Sequence, residues 1–140
     1  ERVTQRLQDL RLEVGAQGVA LAGMQGRRLA EAGTFEGLEI ETLLAVMGRS
    51  LTAALAVEPL MREERSSNVV YHEGARFDLY AANVDAVMFV ALAFDRRQGF
   101  NRPGVVWLYL KRAIQDMQGW LMRADDNLSS GSSWDASINR

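Results

Sequence analysis

Residues Tyr71–Asp95, with the sequence YHEGARFDLYAANVDAVMFVALAFD, decide the fold that we predict for this chain. The run Val87–Phe94 is apolar at both alternating sets of positions, which is typical of a central strand covered on both faces. Gly74 predicts a tight turn between an edge strand, Val69–Tyr71, and a second strand, Arg76–Val84. The stretch therefore predicts three neighbouring strands, with helices on both sides of the sheet.

The rest of the chain supplies the helices and two more strands. Apolar residues at 3, 7, 10 and 14 predict a first amphipathic helix, and a helical stripe runs through Leu38–Met61. Pro59 is expected to kink or end this second helix, which we expect to be the longest element. Between the two helices, Gly18–Gly23 and Arg28–Gly33 predict a hairpin, and a third helix is expected to begin near Pro103. The predicted fold class is an α/β (α+β) sandwich, with a five-stranded, mostly antiparallel sheet between helices in the order α-β-β-α-β-β-β-α.

The composition indicates one globular domain in a reducing compartment. The chain has 140 residues, 48% hydrophobic and 24% charged, and its formal net charge of -2 gives no basic footprint for nucleic acid. It has no Cys, which excludes disulfides and thiolate chemistry and makes the cytoplasm the expected location. Its most apolar run, Ala86–Phe94, is too short to cross a bilayer, so we expect no membrane insertion. We expect a domain over residues 1–123 and a polar, flexible tail over residues 124–140.

A catalytic interpretation has to start from His72, the only side chain here that normally titrates near neutral pH. Asp78 or Glu73 could orient it and Ser66 or Ser67 could act as a nucleophile, but neighbours in sequence do not make a triad. We favour an edge-strand His without a catalytic role. One His and scattered carboxylates also supply no closely spaced metal ligands. We therefore predict that the protein is not an enzyme and has no catalytic residue, metal or cofactor.

Two surfaces are candidates for interactions. The second helix has a face of small and weakly charged residues, which permits close approach of another backbone. The edge strand Val69–Tyr71 is an aggregation hazard unless something pairs with it. A second copy of the chain, related by a two-fold axis, could add this strand antiparallel while the second helices meet. The open alternative is an ordinary edge that is blunted by the flanking Arg65 and Glu73.

The motif HEGA at residues 72–75, followed by Leu79-Tyr80 and Phe94-Asp95, resembles bacterial proteins of the roadblock/dynein light chain family. The resemblance covers roughly residues 3–122 and points in particular to members that regulate a Ras-like small GTPase in gliding motility and cell polarity. It implies a cytoplasmic homodimer, formed through second helices and third strands, that binds the GTPase on the second-helix surface. It also implies stimulated GTP hydrolysis without a catalytic residue from this chain.

The resemblance assigns residues to both surfaces. The implied GTPase contacts lie on the second helix and are Ala45, Arg49, Thr52, Ala53 and Ala56. The implied dimer interface consists of Val46, Val57, Val69, Val70 and Tyr71. Two other functions stay open at this point. One is a scaffold that binds the GTPase without changing hydrolysis; the other is a PAS- or GAF-type ligand-sensing module, which would contain an internal cavity.

Overall fold

A computed structural model describes residues 1–63 and 67–129, with side chains up to Leu121. Within these residues the chain forms three α-helices and five β-strands, in the predicted order. The helices are α1 (Arg2–Val14), α2 (Ile40–Leu55) and α3 (Pro103–Ser129), and the strands are β1 (Gly18–Gly23), β2 (Arg28–Gly33), β3 (Val69–Glu73), β4 (Phe77–Asn83) and β5 (Met88–Asp95). Short 3-10 turns cover Glu58–Met61 and Arg96–Gln98.

β5 is the central strand of an antiparallel sheet, whose order in the described residues is β2-β1-β5-β4-β3. All eight residues of β5 are buried, because its alternating side chains enter two different cores. Its neighbours pair with it along their whole length, with Gly18 of β1 opposite Ala93 and Phe77 of β4 opposite Asp95. The predicted central strand, the predicted edge strand β3 and the predicted fold class are confirmed.

The two faces of the sheet carry separate hydrophobic cores. On one face, α1 and α3 cover Leu92 with fully buried side chains that include Leu10 and Leu110. On the other face, α2 covers Phe89 with side chains that include Leu51. Each fully buried side chain of this size contributes about 1.5–3 kcal/mol to the free energy of unfolding. The sheet is therefore held between two helical layers, as the double-sided burial of β5 requires.

α2 is shorter than the sequence predicts. The helix expected over residues 38–61 ends at Leu55, and a separate 3-10 turn covers Glu58–Met61. Pro59 lies in this turn and cannot donate a hydrogen bond to the carbonyl of Leu55, four residues back, so the α-helix cannot continue through this point. Arg62, with a left-handed φ of 58°, ends the turn.

α3 is the longest helix and runs past the predicted domain boundary. It begins at Pro103, as predicted, and its 27 residues continue to Ser129. Because no Gly or Pro interrupts residues 120–129, the helix can propagate once it has formed. The predicted boundary at residue 123 thus lies inside a helix, and residues 124–129 of the expected polar tail are helical. The rest of that tail, residues 130–140, lies outside the described residues.

α2 approaches the sheet so closely that one of its positions requires Gly. A Cβ on Gly48 would overlap the backbone carbonyl oxygen of Met24, which follows β1. In the same β1–β2 turn, Gly26 has a φ of 99°, and a Cβ there would lie 2.7 Å from the Cα of Ala45. Backbone packing at these two points fixes both the height and the rotation of α2 over the sheet.

Gly48→Ala should destabilise the fold, although Ala is normally the better helix former by about 1 kcal/mol. The added methyl group has to displace the Met24 backbone, so we expect the free energy of unfolding, measured by urea denaturation, to fall by about 1–3 kcal/mol. Gly104→Ala in α3 is the matched control, because nothing lies within 4 Å of a Cβ at that position. It should leave the stability unchanged or higher. A stabilising Gly48→Ala would contradict the close contact.

Candidate partner-binding surfaces

The rotation of α2 decides which of its side chains a partner can reach. Ala45 and Gly48 face the β1–β2 turn, and the buried stripe between the helix and the sheet includes Leu44 and Leu51. Because β1 and β3 lie on opposite sides of β5, the flank of α2 turned away from the β1–β2 turn faces the β3 edge. Ala56 and Val57 follow the end of α2 but keep right-handed helical dihedral angles, so the same periodicity applies to them. At about 100° per residue, that flank carries the following residues, which we call the edge-side strip: Val46, Ser50, Ala53 and Val57.

The edge-side strip is exposed and largely apolar. Val46 and Val57 are each 44% exposed, and Ser50 and Ala53 between them are also exposed. The hydroxyl of Ser50 donates to the carbonyl oxygen of Val46 at 3.1 Å, so its hydrogen bond is made within the helix. The strip can therefore pack against another helix without leaving a buried polar group unsatisfied.

A second exposed flank of α2, which we call the outer strip, consists of Arg49, Thr52 and Ala56. The hydroxyl of Thr52 donates to the carbonyl oxygen of Gly48 at 2.9 Å, so this side chain too is satisfied within the helix. Arg49 is the charged member of the strip. Three of the five predicted GTPase contacts thus share one face.

Of the other two predicted GTPase contacts, one lies on a different flank of α2, and the other is in line with the outer strip but partly covered. Ala53 is exposed, but it belongs to the edge-side strip, between Val46 and Val57. Ala45 is half-buried against the turn at Gly26, so its own chain already covers part of it. Helical periodicity alone cannot show this, because the covering backbone comes from a distant part of the chain.

β3 is the apolar edge of the sheet. Among the described residues it pairs only with β4, so backbone donors and acceptors on its other side are free. Val69 and Tyr71 are 43% and 41% exposed, and Tyr71 packs on Tyr80 directly opposite it, with ring centroids 4.6 Å apart. Val70 points to the other face, where it is half-buried against the core beneath α2. Of the predicted dimer residues on this strand, Val69 and Tyr71 therefore offer side chains, and Val70 offers mainly its backbone.

Two further exposed apolar residues, Leu60 and Met61, were not predicted from the sequence. Leu60 is 82% exposed and Met61 is 61% exposed, both in the 3-10 turn that follows α2. Helical periodicity places them in the second helix. Pro59 was the sequence signal that could have indicated their exposure, because residues beyond a helix-ending Pro no longer follow the sheet-facing stripe.

The stretch Ile40–Met61 is long and apolar enough to cross a membrane by length and composition alone, with a mean hydropathy of 1.5. In the structure it forms α2 and the 3-10 turn, and α2 covers the sheet with Leu44 and Leu51 fully buried. Core helices of globular proteins pass the same test, so this is weak evidence for a span. The absence of membrane insertion stays a prediction.

A buried polar network ties the β3–β4 hairpin to the loop before α3. Asp78 is 4% exposed, and its Oδ2 accepts a hydrogen bond from Nδ2 of Asn101 at 2.7 Å. The hydroxyl of Tyr80 donates to Oδ1 of Asn101 at 2.5 Å, and burial raises the pKa of Tyr80 above its ordinary value. Nη1 of Arg96 lies 3.4 Å from Oδ1 of Asp78 and 3.2 Å from Oε2 of Glu73. The network holds the sheet edge and the loop in fixed positions.

Within the described residues, no catalytic group forms around His72. Its side chain is exposed on β3 and lies opposite Leu79, while the carboxylate of Asp78 is engaged in the polar network. Ser67 is exposed, and Ser66 lies outside the described residues. In the same part of the chain, no group of three His, Asp or Glu side chains could hold a metal ion.

A second buried carboxylate, Asp95, holds the end of β5. Oδ1 of Asp95 accepts a hydrogen bond from the backbone N–H of Arg97 at 3.0 Å, and Oδ2 accepts one from Nη2 of Arg97 at 3.0 Å. Arg76 adds an ion pair at 3.4 Å. The Arg97 guanidinium in particular lowers the pKa of Asp95 to about 2. The carboxylate is therefore ionised at neutral pH and stabilises the turn after β5.

Several solved structures share this architecture. Myxococcus xanthus MglB matches with a TM-score of 0.71 and 21% identity, over 87% of this chain and 96% of its own. The gliding protein MglB of Thermus thermophilus matches with a TM-score of 0.66 and 25% identity, over 84% of this chain and 86% of its own. A roadblock/LC7 domain from Streptomyces avermitilis matches with a TM-score of 0.67 and 12% identity, over 85% and 97%. This chain has the roadblock/LC7 fold.

The predicted resemblance to roadblock proteins, and among them to the MglB type, is confirmed by these similarities. No protein-family model and no curated protein sequence matches the chain. The evidence for the roadblock fold is therefore the three-dimensional arrangement together with the motif in β3, β4 and β5.

Among the described residues, large exposed apolar side chains occur on α2, in the turns that follow it and on β3. They are Val46, Val57, Leu60, Met61, Val69 and Tyr71. Single exposed apolar residues are normal on a protein, but α2 contacts β3, so these residues lie on adjoining elements and form a candidate interaction site. Val69 and Tyr71 point to the α1–α3 side of the sheet, opposite the residues on α2. We call this set the seam surface.

Asp95→Asn should lower stability at neutral pH, and the loss should shrink in acid. The pKa of Asp95 in the folded protein, about 2, lies below its ordinary value of 3.8. Its ionisation therefore stabilises the fold fully above that ordinary value, and this stabilisation is lost as the pH falls through the folded-state pKa. Urea denaturation of both proteins from neutral pH to pH 2.5 measures the difference. Asp9→Asn, an exposed change on α1, is the control; a difference independent of pH would contradict the ion-pair assignment.

Proposed function

We propose that this roadblock domain is a cytoplasmic homodimer that binds a Ras-like small GTPase and stimulates GTP hydrolysis without supplying a catalytic residue. The observation that supports this function best is the exposed, weakly polar surface of α2, which stands beside an apolar sheet edge in a fold similar to that of MglB. The buried polar groups Asp78 and Asp95 are engaged inside the domain. An exposed, weakly polar helix beside an apolar sheet edge suits recognition of another protein.

The proposed dimer forms by antiparallel pairing of two β3 strands across a two-fold axis. This pairing satisfies the free backbone groups of both edges and places the axis perpendicular to the joined sheet. The two α2 helices then lie on the same face of that sheet, side by side, with their edge-side strips in contact. Val46 and Val57 bury apolar surface there, and the small side chain of Ala53 lets the two backbones approach.

The outer strip supports the GTPase-binding part of the proposal. When the edge-side strips cover each other, Arg49, Thr52 and Ala56 are the part of α2 that stays accessible. The small side chains permit close contact by a helix or loop of the partner. Arg49 can add a charge-assisted hydrogen bond to a carboxylate of the GTPase. Ala45, which is half-buried, lies at the margin of this surface.

Charged substitutions at two alanines, Ala53 and Ala56, distinguish the proposed dimer contact from the proposed GTPase contact. Ala53→Glu puts a charge into the edge-side strip and should convert the dimer to monomers at micromolar concentration, because an unpaired buried charge is costly. Ala56→Glu should leave the protein dimeric and weaken GTPase binding by about tenfold or more. Analytical ultracentrifugation and calorimetry measure the two effects. If both variants stay dimeric and bind the GTPase normally, the wrong faces of α2 have been chosen.

Single-turnover GTP hydrolysis by the cognate GTPase tests the activity. Added roadblock protein should raise the rate in a saturable manner. Arg49→Ala should raise the concentration needed for half-maximal stimulation and leave the maximal rate unchanged, since Arg49 is proposed to bind the GTPase and not to enter its active site. Arg28→Ala, an exposed change on the opposite edge strand, is the matched control.

Three outcomes distinguish the alternatives. A collapse of the maximal rate in Arg49→Ala would identify a catalytic arginine, which is worth about 10³–10⁵ in rate, and would contradict the proposed mechanism. Binding without any change in hydrolysis would favour a scaffold. Absence of binding to the GTPase in both nucleotide states would overturn the proposed function.

A further inference from the structure

Residues 96–115 carry five cationic side chains and no carboxylate, in a chain whose net charge is -2. Two of the five cations are neutralised inside the domain, because Arg96 pairs with Glu73 and Asp78 and Arg97 pairs with Asp95. The remaining three, Arg102, Lys111 and Arg112, are exposed.

These three exposed cations form no ion pair within the described residues. Lys111 lies over the ring of Trp107 and Arg112 lies over the ring of Tyr109, each at 5.5 Å from the ring centroid. Stacking on a ring keeps the side chain close to the helix and leaves its charge uncompensated. Asp116, the next carboxylate along α3, is paired with Arg6 at 2.9 Å, so the first half of α3 presents a positive surface.

The same surface carries exposed apolar side chains. Phe100 is 93% exposed, and Leu108 and Val105 are 48% and 42% exposed. Val106 and Leu110 face the core and are fully buried, so Leu108 lies at the outward centre of the helix. Apolar and cationic residues thus alternate on one face, which we call the basic apolar face: Phe100, Arg102, Val105, Leu108, Lys111 and Arg112.

Phe100 is held in its exposed position by the residues around it. Gly99 before it has a φ of 145°, a conformation that side-chain-bearing residues rarely adopt. Asn101 after it is bound to Tyr80 and Asp78. The aromatic ring therefore stands free at the tip of an anchored loop, where it has no apolar cover from the core.

We propose that the basic apolar face is a peripheral contact with a membrane that contains anionic phospholipids. Cationic side chains are attracted to anionic headgroups, and aromatic or aliphatic side chains enter the interfacial layer. A projecting Phe between cations fits a soft lipid surface better than an acidic protein, which would have to supply a matching pocket. The face belongs to the α1–α3 layer, on the side of the sheet opposite α2. Membrane contact would thus leave the outer strip and the edge-side strip of α2 accessible, and it does not depend on the proposed GTPase function.

Co-sedimentation of the full chain with vesicles tests this proposal. The protein should bind vesicles of phosphatidylcholine with about 30% phosphatidylglycerol, ignore vesicles of phosphatidylcholine alone, and release the anionic ones as salt is raised. Removing each cation should weaken vesicle binding about fivefold. The affinity of the double variant Arg102→Gln/Arg112→Gln for anionic vesicles should therefore fall by more than about tenfold. Phe100→Ser should lower the affinity for anionic vesicles about tenfold. Arg28→Gln and Val87→Ser, exposed residues elsewhere on the domain, are the matched controls and should bind normally.

Four results would overturn the proposal. One is the absence of binding to anionic vesicles, and another is equal binding to neutral ones. The third is a loss of vesicle binding in Leu60→Ser but not in Phe100→Ser, which would show that the membrane contact lies on the seam surface. The fourth is retention on immobilised polyglutamate without retention on vesicles, which would assign the face to an acidic protein partner. Thermal unfolding of each variant confirms that these surface changes leave the fold intact.

Discussion

The burial of β5 on both of its faces is the constraint on which the rest of this fold depends. A strand with eight buried residues needs a helical layer above and below it, and its central place makes β2 and β3 the two edges of the sheet. The edges differ in chemistry. β2 carries an ion pair between Arg28 and Glu31 at 3.2 Å, whereas β3 exposes the apolar side chains of Val69 and Tyr71. Charge discourages pairing and apolar residues favour it, so β3 is the edge that we propose pairs with another chain.

The second constraint is the backbone contact between α2 and the β1–β2 turn. Gly48 over Met24, and Gly26 against Ala45, leave α2 little freedom to rotate about its axis. The buried stripe then has an exposed flank on either side, one toward the β3 edge and one away from it. In the proposed function, a single helix in this way serves two partners: a second copy of the chain and a GTPase. The basic apolar face lies in the other helical layer, on the side of the sheet opposite the two strips of α2.

Much of this arrangement could be predicted from the sequence, because it depends on local periodicity. The double-sided apolar pattern of Val87–Phe94 predicted the central strand, and the turn at Gly74 predicted the edge hairpin. Contacts between distant segments could not be predicted in the same way. The partial burial of Ala45 depends on a turn near residue 26, and the length of α3 depends on the absence of a stop signal rather than on apolar spacing. Gly48 was a usable signal, since a Gly inside a helix often marks close backbone approach.

Residue-resolved amide hydrogen exchange of β3 in the free protein tests the central claim, that this edge and the adjoining flank of α2 form a seam between two copies. In an open edge strand, the amides that do not face β4 exchange rapidly with solvent. If two β3 strands pair, these amides in Val69–Glu73 should exchange slowly at high protein concentration and progressively faster on dilution, as the dimer dissociates. Rapid exchange at every concentration would show that β3 is an unpaired edge and would contradict the account.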